Sequence, residues 1–172
     1  MIVTARSNYY DDFAVGDAVT TAARTITEAD VVNFAGVSGD FNALHLDAEY
    51  ARATPHGHRI AHGALLFAIS TGLFNGLGIT TAETQVANLG LDGLNYRKAV
   101  GIGDTVHLEI TVKDLRPTHD GRRGIAWFQV DMRNQHGDIV MDAVWKIMLW
   151  KRPATSTPEK STSEKERSDA SD

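Results

Sequence analysis

Ala64-Leu65-Leu66-Phe67-Ala68-Ile69-Ser70-Thr71-Gly72-Leu73-Phe74 is the stretch on which the fold turns. Its apolar residues are not confined to one stripe but occupy nearly the whole circumference of a helix, which is the pattern of a helix buried on every side. Counted from Gly63 and ended by Gly76 and Gly78, it runs for about 14 residues, or roughly 20 Å, too short to cross a bilayer. The stretch is therefore predicted to be a central core helix.

Beyond Leu89 the period of the apolar residues changes to two. Val106, Leu108, Ile110 and Val112 alternate with His107, Glu109 and Thr111, and Ala126, Phe128, Val130 and Met132 alternate with Trp127, Gln129 and Asp131. Such alternation marks half-buried strands. Residues 117–124 link these two strands, 134–138 form a hairpin turn, and Ile139 to Trp150 is the long final strand. A shorter strand is predicted around Leu94 to Val100, ahead of a turn at 101–104. One buried helix followed by an antiparallel meander packs most simply as a curved sheet wrapped around the helix, an α+β fold. Trp127, Trp145 and Trp150 are expected on the sheet faces, where a subunit contact could cover them.

Upstream of the helix, Tyr9 to Asp17 reads as a first strand or edge segment, and Ala18 to Arg24 as extended chain. Thr27 opens a helix, with Asp30 at capping-box spacing and Val31, Phe34 and Ala35 as its apolar stripe. That helix is predicted to stop before Gly36, and Asp47 to cap a second, short one.

The chain has 172 residues, 42% of them hydrophobic and 23% charged. That is enough for one domain, placed at 1–152, with a Ser/Thr/Lys/Glu-rich tail at 153–172 that has no large apolar residue to offset its ordering entropy. A net charge of −5 provides no basic surface for nucleic acid or anionic lipid. The absence of cysteine removes disulfides, thiolate metal sites and cysteine nucleophiles together. No apolar run is long enough for a signal peptide or a membrane span, so a soluble, cytoplasmic protein is expected.

Chemistry is concentrated at 37–45, Val-Ser-Gly-Asp-Phe-Asn-Ala-Leu-His. On a helix, Asp40 and His45 would lie roughly 140° apart, so they can converge only if the backbone leaves the helix between them. Ser38-Gly39-Asp40 is turn chemistry of that kind. Read alone, Asp40 is a turn former or helix cap and His45 a structural histidine. His56, His58 and His62 invite a metal reading, but no acidic or cysteine partner sits at ligand spacing around them, and neither metal nor cofactor is expected.

Ser38-Gly39-Asp40-Phe41-Asn42-Ala43-Leu44-His45, followed by Arg59-Ile60-Ala61-His62-Gly63 and preceded by Arg24-Thr25-Ile26-Thr27-Glu28-Ala29-Asp30, resembles the signature of the MaoC-like, or hydratase 2, family of R-specific enoyl-CoA hydratases and dehydratases. The similarity extends from about Tyr10 to Arg152. It departs at Ala43, where the family usually has proline, and that change removes no reactive group. The resemblance implies a hot-dog fold, and reversible addition of water to a trans-2-enoyl thioester to give an (R)-3-hydroxyacyl thioester.

In that reading Asp40 and His45 jointly hold the catalytic water, and the backbone N–H of Gly63 meets the thioester oxygen. Independently of the family, Gly63 stands at the start of the buried helix, where N–H groups are unpaired and the helix dipole is positive. Asn42 and His62 are expected as substrate contacts. The implied partner is acyl-CoA or an acyl carrier protein thioester, and the implied assembly a homodimer or higher homo-oligomer. Three alternatives remain: hydration of branched dicarboxylic thioesters of the mesaconyl or methylmalyl type, a hot-dog thioesterase, which would lack the Asp-x-Asn-x-x-His loop, and a non-catalytic acyl-binding subunit, which would have lost Asp40 or His45.

Overall fold

Period-two alternation finds its partners in one sheet. The computed structural model describes residues 8–153, in which β1 (Ala18–Thr20), β2 (Arg24–Thr25), β3 (Gln85–Tyr96), β4 (Thr105–Pro117), β5 (Arg123–Asn134) and β6 (Ile139–Trp150) form an antiparallel sheet. Its order is β1-β4-β5-β6-β3, with β2 also paired to β4. In register, Ile110 faces Val130 and Val130 faces Ala143. The even positions of β4 and β5 therefore bury one common face, as the alternation requires.

Among the described residues four α-helices accompany the sheet: α1 (Glu28–Ser38), α2 (Ala43–Leu46), α3 (Ala48–Arg52) and α4 (Gly63–Gly76). The core helix of the sequence is α4. Its Leu65, Leu66, Ile69 and Phe74 are buried against the sheet. Phe74 meets Phe128 edge-on at 5.6 Å and lies 5.0 Å from Trp145, and Phe67 meets Trp145 at 5.9 Å. An antiparallel sheet packed along one long helix is the hot-dog arrangement.

Four expectations are corrected. First, α4 is not buried all round, because Ala64, Ala68, Gly72 and Asn75 form an exposed face. The sheet covers one side of the helix only, and small residues contribute to hydropathy without contributing bulk that must be hidden. Second, the strand placed around Leu94 to Val100 begins at Gln85 and ends at Tyr96. Its pairing with β6 shifts register three times, and Gly90 and Gly93 have positive φ, so bulges break the alternation that would have revealed it.

Third, the segment 9–17 is not a strand but a 3-10 turn at Tyr10–Asp12 followed by a loop. Asp12 accepts from the Tyr9 N–H and pairs with Arg152, while Tyr10 and Phe13 insert into the core. Fourth, α1 continues past Gly36. The Ser38 hydroxyl donates to the Phe34 carbonyl, and Gly39, at φ 76°, supplies the left-handed cap that ends the helix. The Thr27–Asp30 capping box and the Asp47 cap of α3 form as read.

Trp145 is buried, whereas Trp127 stands half-buried on the opposite sheet face beneath Arg116. Among the described residues no helix is long and apolar enough to cross a membrane. Apart from Pro153, the tail expected at 153–172 lies outside the described residues.

Candidate active site

The loop after α1 is built by local bonds. Asp40 N–H donates to the Ser38 hydroxyl, Asn42 N–H to the Asp40 carboxylate, and Leu44 N–H to the Asn42 side chain, which caps α2. This turn takes the backbone out of the α1 axis and brings His45 round toward Asp40, as the spacing of the two required. The loop then rests on the segment that leads into α4. His45 Nδ1 donates to the Ile60 carbonyl at 2.7 Å, and Ile60 N–H donates to the Leu44 carbonyl. A carbonyl can only accept, so Nδ1 carries the hydrogen and the neutral ring presents Nε2 as an acceptor.

His45 and Gly63 line one cleft of about 260 Å³, together with His56, Leu66, Tyr96 and Lys98. The first bond inside α4 runs from Leu66 N–H to the His62 carbonyl, so the N–H groups of Gly63, Ala64 and Leu65 have no partner within the helix. Gly63 also lies directly under the Tyr96 ring, since a Cβ built on it would be 2.8 Å from Tyr96 Cε2. Burial pushes the Tyr96 hydroxyl above its ordinary pKa. Arg97 pairs with Asp142 and Lys98 with Asp138, which tempers the positive charge at the cleft rim. Hydrogen bonds from Arg97 hold the Asp142 carboxyl below the usual carboxylate range.

Asp40 is exposed beside this cleft, and His62, expected as a substrate contact, is only 2% exposed. The His62 ring lies on that of His45 with centroids 3.7 Å apart and an interplanar angle of 33°, and it also packs against Phe34. Asn42 stays on the surface with its side-chain oxygen committed to the α2 cap. The side-chain donor atoms of Asp40, His45 and His62 all lie within 4.8 Å of one another. Folding thus supplies the acidic neighbour that sequence spacing denied His62. Each imidazole, however, already commits one nitrogen to a backbone carbonyl.

Tyr96, the Ile60 carbonyl and the ring of Phe34 against His62 were missed by the sequence. Tyr96 reaches Gly63 only through the bent edge strand, and a carbonyl has no residue signature. Phe34 was visible only as an apolar position of α1.

A family model described as "MaoC like domain" matches residues 12–129, more than half of the chain. The chain belongs to the MaoC-like family. It is 37% identical over 111 residues to Protein MaoC of Klebsiella aerogenes, a match that covers 64% of this chain and 32% of that much longer relative. The chain thus spans about a third of that relative's length. To the (R)-specific enoyl-CoA hydratase of Rhodospirillum rubrum it is 36% identical over 110 residues, or 64% of this chain and 73% of the relative. Among solved structures, the (R)-hydratase from A. caviae involved in PHA biosynthesis superimposes with a TM-score of 0.67 at 28% identity, covering 82% of this chain and 98% of that one.

Proposed function

We propose that this MaoC-like chain adds water to trans-2-enoyl-CoA to give (R)-3-hydroxyacyl-CoA, or runs the reverse dehydration. The observation that carries the reading is the juxtaposition in one cleft of His45 and Gly63, whose Nε2 and N–H have no partner among the described residues, while Asp40 stands beside His45. The similarity to an (R)-specific enoyl-CoA hydratase supports it.

In the reaction the water oxygen bonds to C3 of the enoyl group, and the C2–C3 π electrons move toward the thioester carbonyl. A proton then reaches C2, so the atoms of one water molecule are added across the double bond. The Asp40 carboxylate and His45 Nε2 hold the water, and the pair takes one proton and returns one to C2, acid-base help worth about 10²- to 10⁴-fold. Negative charge growing on the thioester oxygen is met by the Gly63 N–H and the positive end of α4. Glycine lets the carbonyl approach that N–H closely. Two copies of the chain meeting along the exposed edge strand β3 would make the homodimer expected from the sequence.

The test is hydration of crotonyl-CoA, followed by loss of the absorbance of its conjugated double bond. Asp40→Asn and His45→Gln should each lower turnover by at least about a hundredfold while circular dichroism stays unchanged. Near-normal turnover in either variant would remove that residue from the mechanism. Release of free CoA thiol by the wild-type protein would favour a thioesterase instead.

A further inference from the structure

We infer that His62 is a positioning residue that locks the Asp40–His45 pair to the first turn of α4, and that it does not touch the substrate. This deepens the hydratase reading and rests on it. Three observations converge on the one ring. Its Nε2 donates to the Asp40 backbone carbonyl at 3.0 Å. Its face covers His45 at 3.7 Å. Its backbone is the N-cap of α4, so the next peptide N–H along the chain is that of Gly63. The backbone that carries the Asp40 carboxylate, the His45 imidazole and the helix N-terminus are thereby referenced to a single side chain.

Burial separates this role from substrate contact. At 2% exposure His62 does not line the cleft in which His45 and Gly63 are open, and a thioester bound there would meet the other two first. A second observation separates it from an ordinary core residue. Nδ1 of His62 is buried with no hydrogen-bond partner among the described residues. An unsatisfied buried nitrogen lowers stability, and an aliphatic side chain of similar volume would fill the same space without that cost. What the imidazole supplies and an aliphatic side chain cannot is the Nε2–H for the Asp40 carbonyl and a flat face for His45. Because the carbonyl only accepts, the bond also fixes the tautomer of His62.

Three substitutions separate the functions. Gln can place an amide nitrogen near the position of the histidine Nε2, the shorter Asn cannot, and Leu fills the space with no donor. For His62→Asn and His62→Leu, kcat for crotonyl-CoA should fall about tenfold or more with KM within about twofold of wild type, as expected when reacting groups are misplaced but binding surfaces are kept. His62→Gln should retain kcat within about threefold. In ¹⁵N-histidine-labelled protein, the His45 ring resonances should move in the Asn and Leu variants and stay near wild type in the Gln variant.

Equal losses in the Gln and Asn variants, an undiminished kcat in the Leu variant, or a change confined to KM would each overturn the inference. If the Asn or Leu variant does not fold, the Gln variant decides alone: kcat and His45 resonances near wild type support the lock, and a tenfold loss of kcat refutes it. Should the wild-type protein hydrate no enoyl thioester, the hydratase reading fails by itself. The His45 resonances then still judge the lock, which is refuted if they are the same in all three variants.

Discussion

Gly63→Ala tests the oxyanion end of the proposed site with one methyl group. The added Cβ would stand 2.8, 2.9 and 3.0 Å from Cε2, Cζ and Cδ2 of Tyr96. Ordinary contact begins near 3.4 Å, so the ring must retreat by about 0.6 Å. Because three atoms along one side of the ring are too close, the ring has to shift as a body rather than tip. Tyr96 is 50% exposed, so this movement stays well below the 1–3 kcal/mol of overpacking in a closed core. Alanine in place of glycine returns up to about 1 kcal/mol in a helix, less at its first position. Folding stability should therefore remain within about 1 kcal/mol of wild type.

Catalysis should be less tolerant. The methyl group and the displaced ring both intrude where a thioester oxygen would approach the Gly63 N–H. Misplacement by about 1 Å costs on the order of a hundredfold, and loss of one oxyanion donor about 10²- to 10³-fold. The expected outcome is a fall in kcat for crotonyl-CoA hydration of between about tenfold and a few hundredfold, with a melting temperature within about 4 °C of wild type. Adding Tyr96→Ala should recover part of the loss by giving the methyl group room. Near-wild-type kcat in Gly63→Ala would show that the thioester oxygen does not meet this N–H, and no recovery in the double variant would show that Tyr96 is not what transmits the clash.

Gly124→Ala would put a Cβ 2.2 Å from the ring of Tyr10, which is part of the buried core. It should cost about 1–3 kcal/mol in chemical denaturation with kcat per folded molecule unchanged, and a wild-type denaturation curve would show that the Tyr10 packing is wrong. The Asp142 carboxyl is held below its ordinary pKa by hydrogen bonds from Arg97, so its folded value lies under its unfolded one. Its contribution to stability is complete above the unfolded value of about 4 and disappears as pH falls through the folded value. Wild type should thus be more stable than Asp142→Asn at pH 7, with the two thermal-melting curves converging below pH 4; a constant difference down to pH 2 would contradict the pairing.

The parts of the fold legible in the sequence were those encoded by local repetition. Ile139–Trp150 is read to the residue because it is an apolar run that starts right after the 134–138 turn, and α4 because its apolar run is bounded by glycines. β3 was half lost because its bulges depend on pairing with β6, which no window of sequence contains. The same distinction holds in the site. Asp40, His45 and Gly63 carry a spacing that can be recognised, whereas the work assigned to His62 arises from contacts with residues 17, 22 and 28 positions away, at His45, Asp40 and Phe34. A histidine before a glycine signals nothing about which carbonyl it will hold.

Those contacts also govern how the variants should be interpreted. Among the described residues, three hydrogen bonds tie the loop to the segment before α4: Ile60 N–H to the Leu44 carbonyl, the His45 ring to the Ile60 carbonyl, and the His62 ring to the Asp40 carbonyl. That segment is in turn fixed to the connection between β3 and β4, where Ala61 N–H donates to the Val100 carbonyl. Among the described residues, Asp40 reaches this network through its backbone alone, and its carboxylate holds only the nearby Asn42 N–H. Asp40→Asn therefore changes charge and leaves every tether in place. His45→Gln removes a proton acceptor and one of the three tethers together, so its loss of kcat combines chemistry with misplacement and overstates the chemistry. If both groups serve the water equally, His45→Gln should be the more damaging of the two, and combining it with His62→Asn should cost less than the product of the separate effects, because the second break acts on a loop already released.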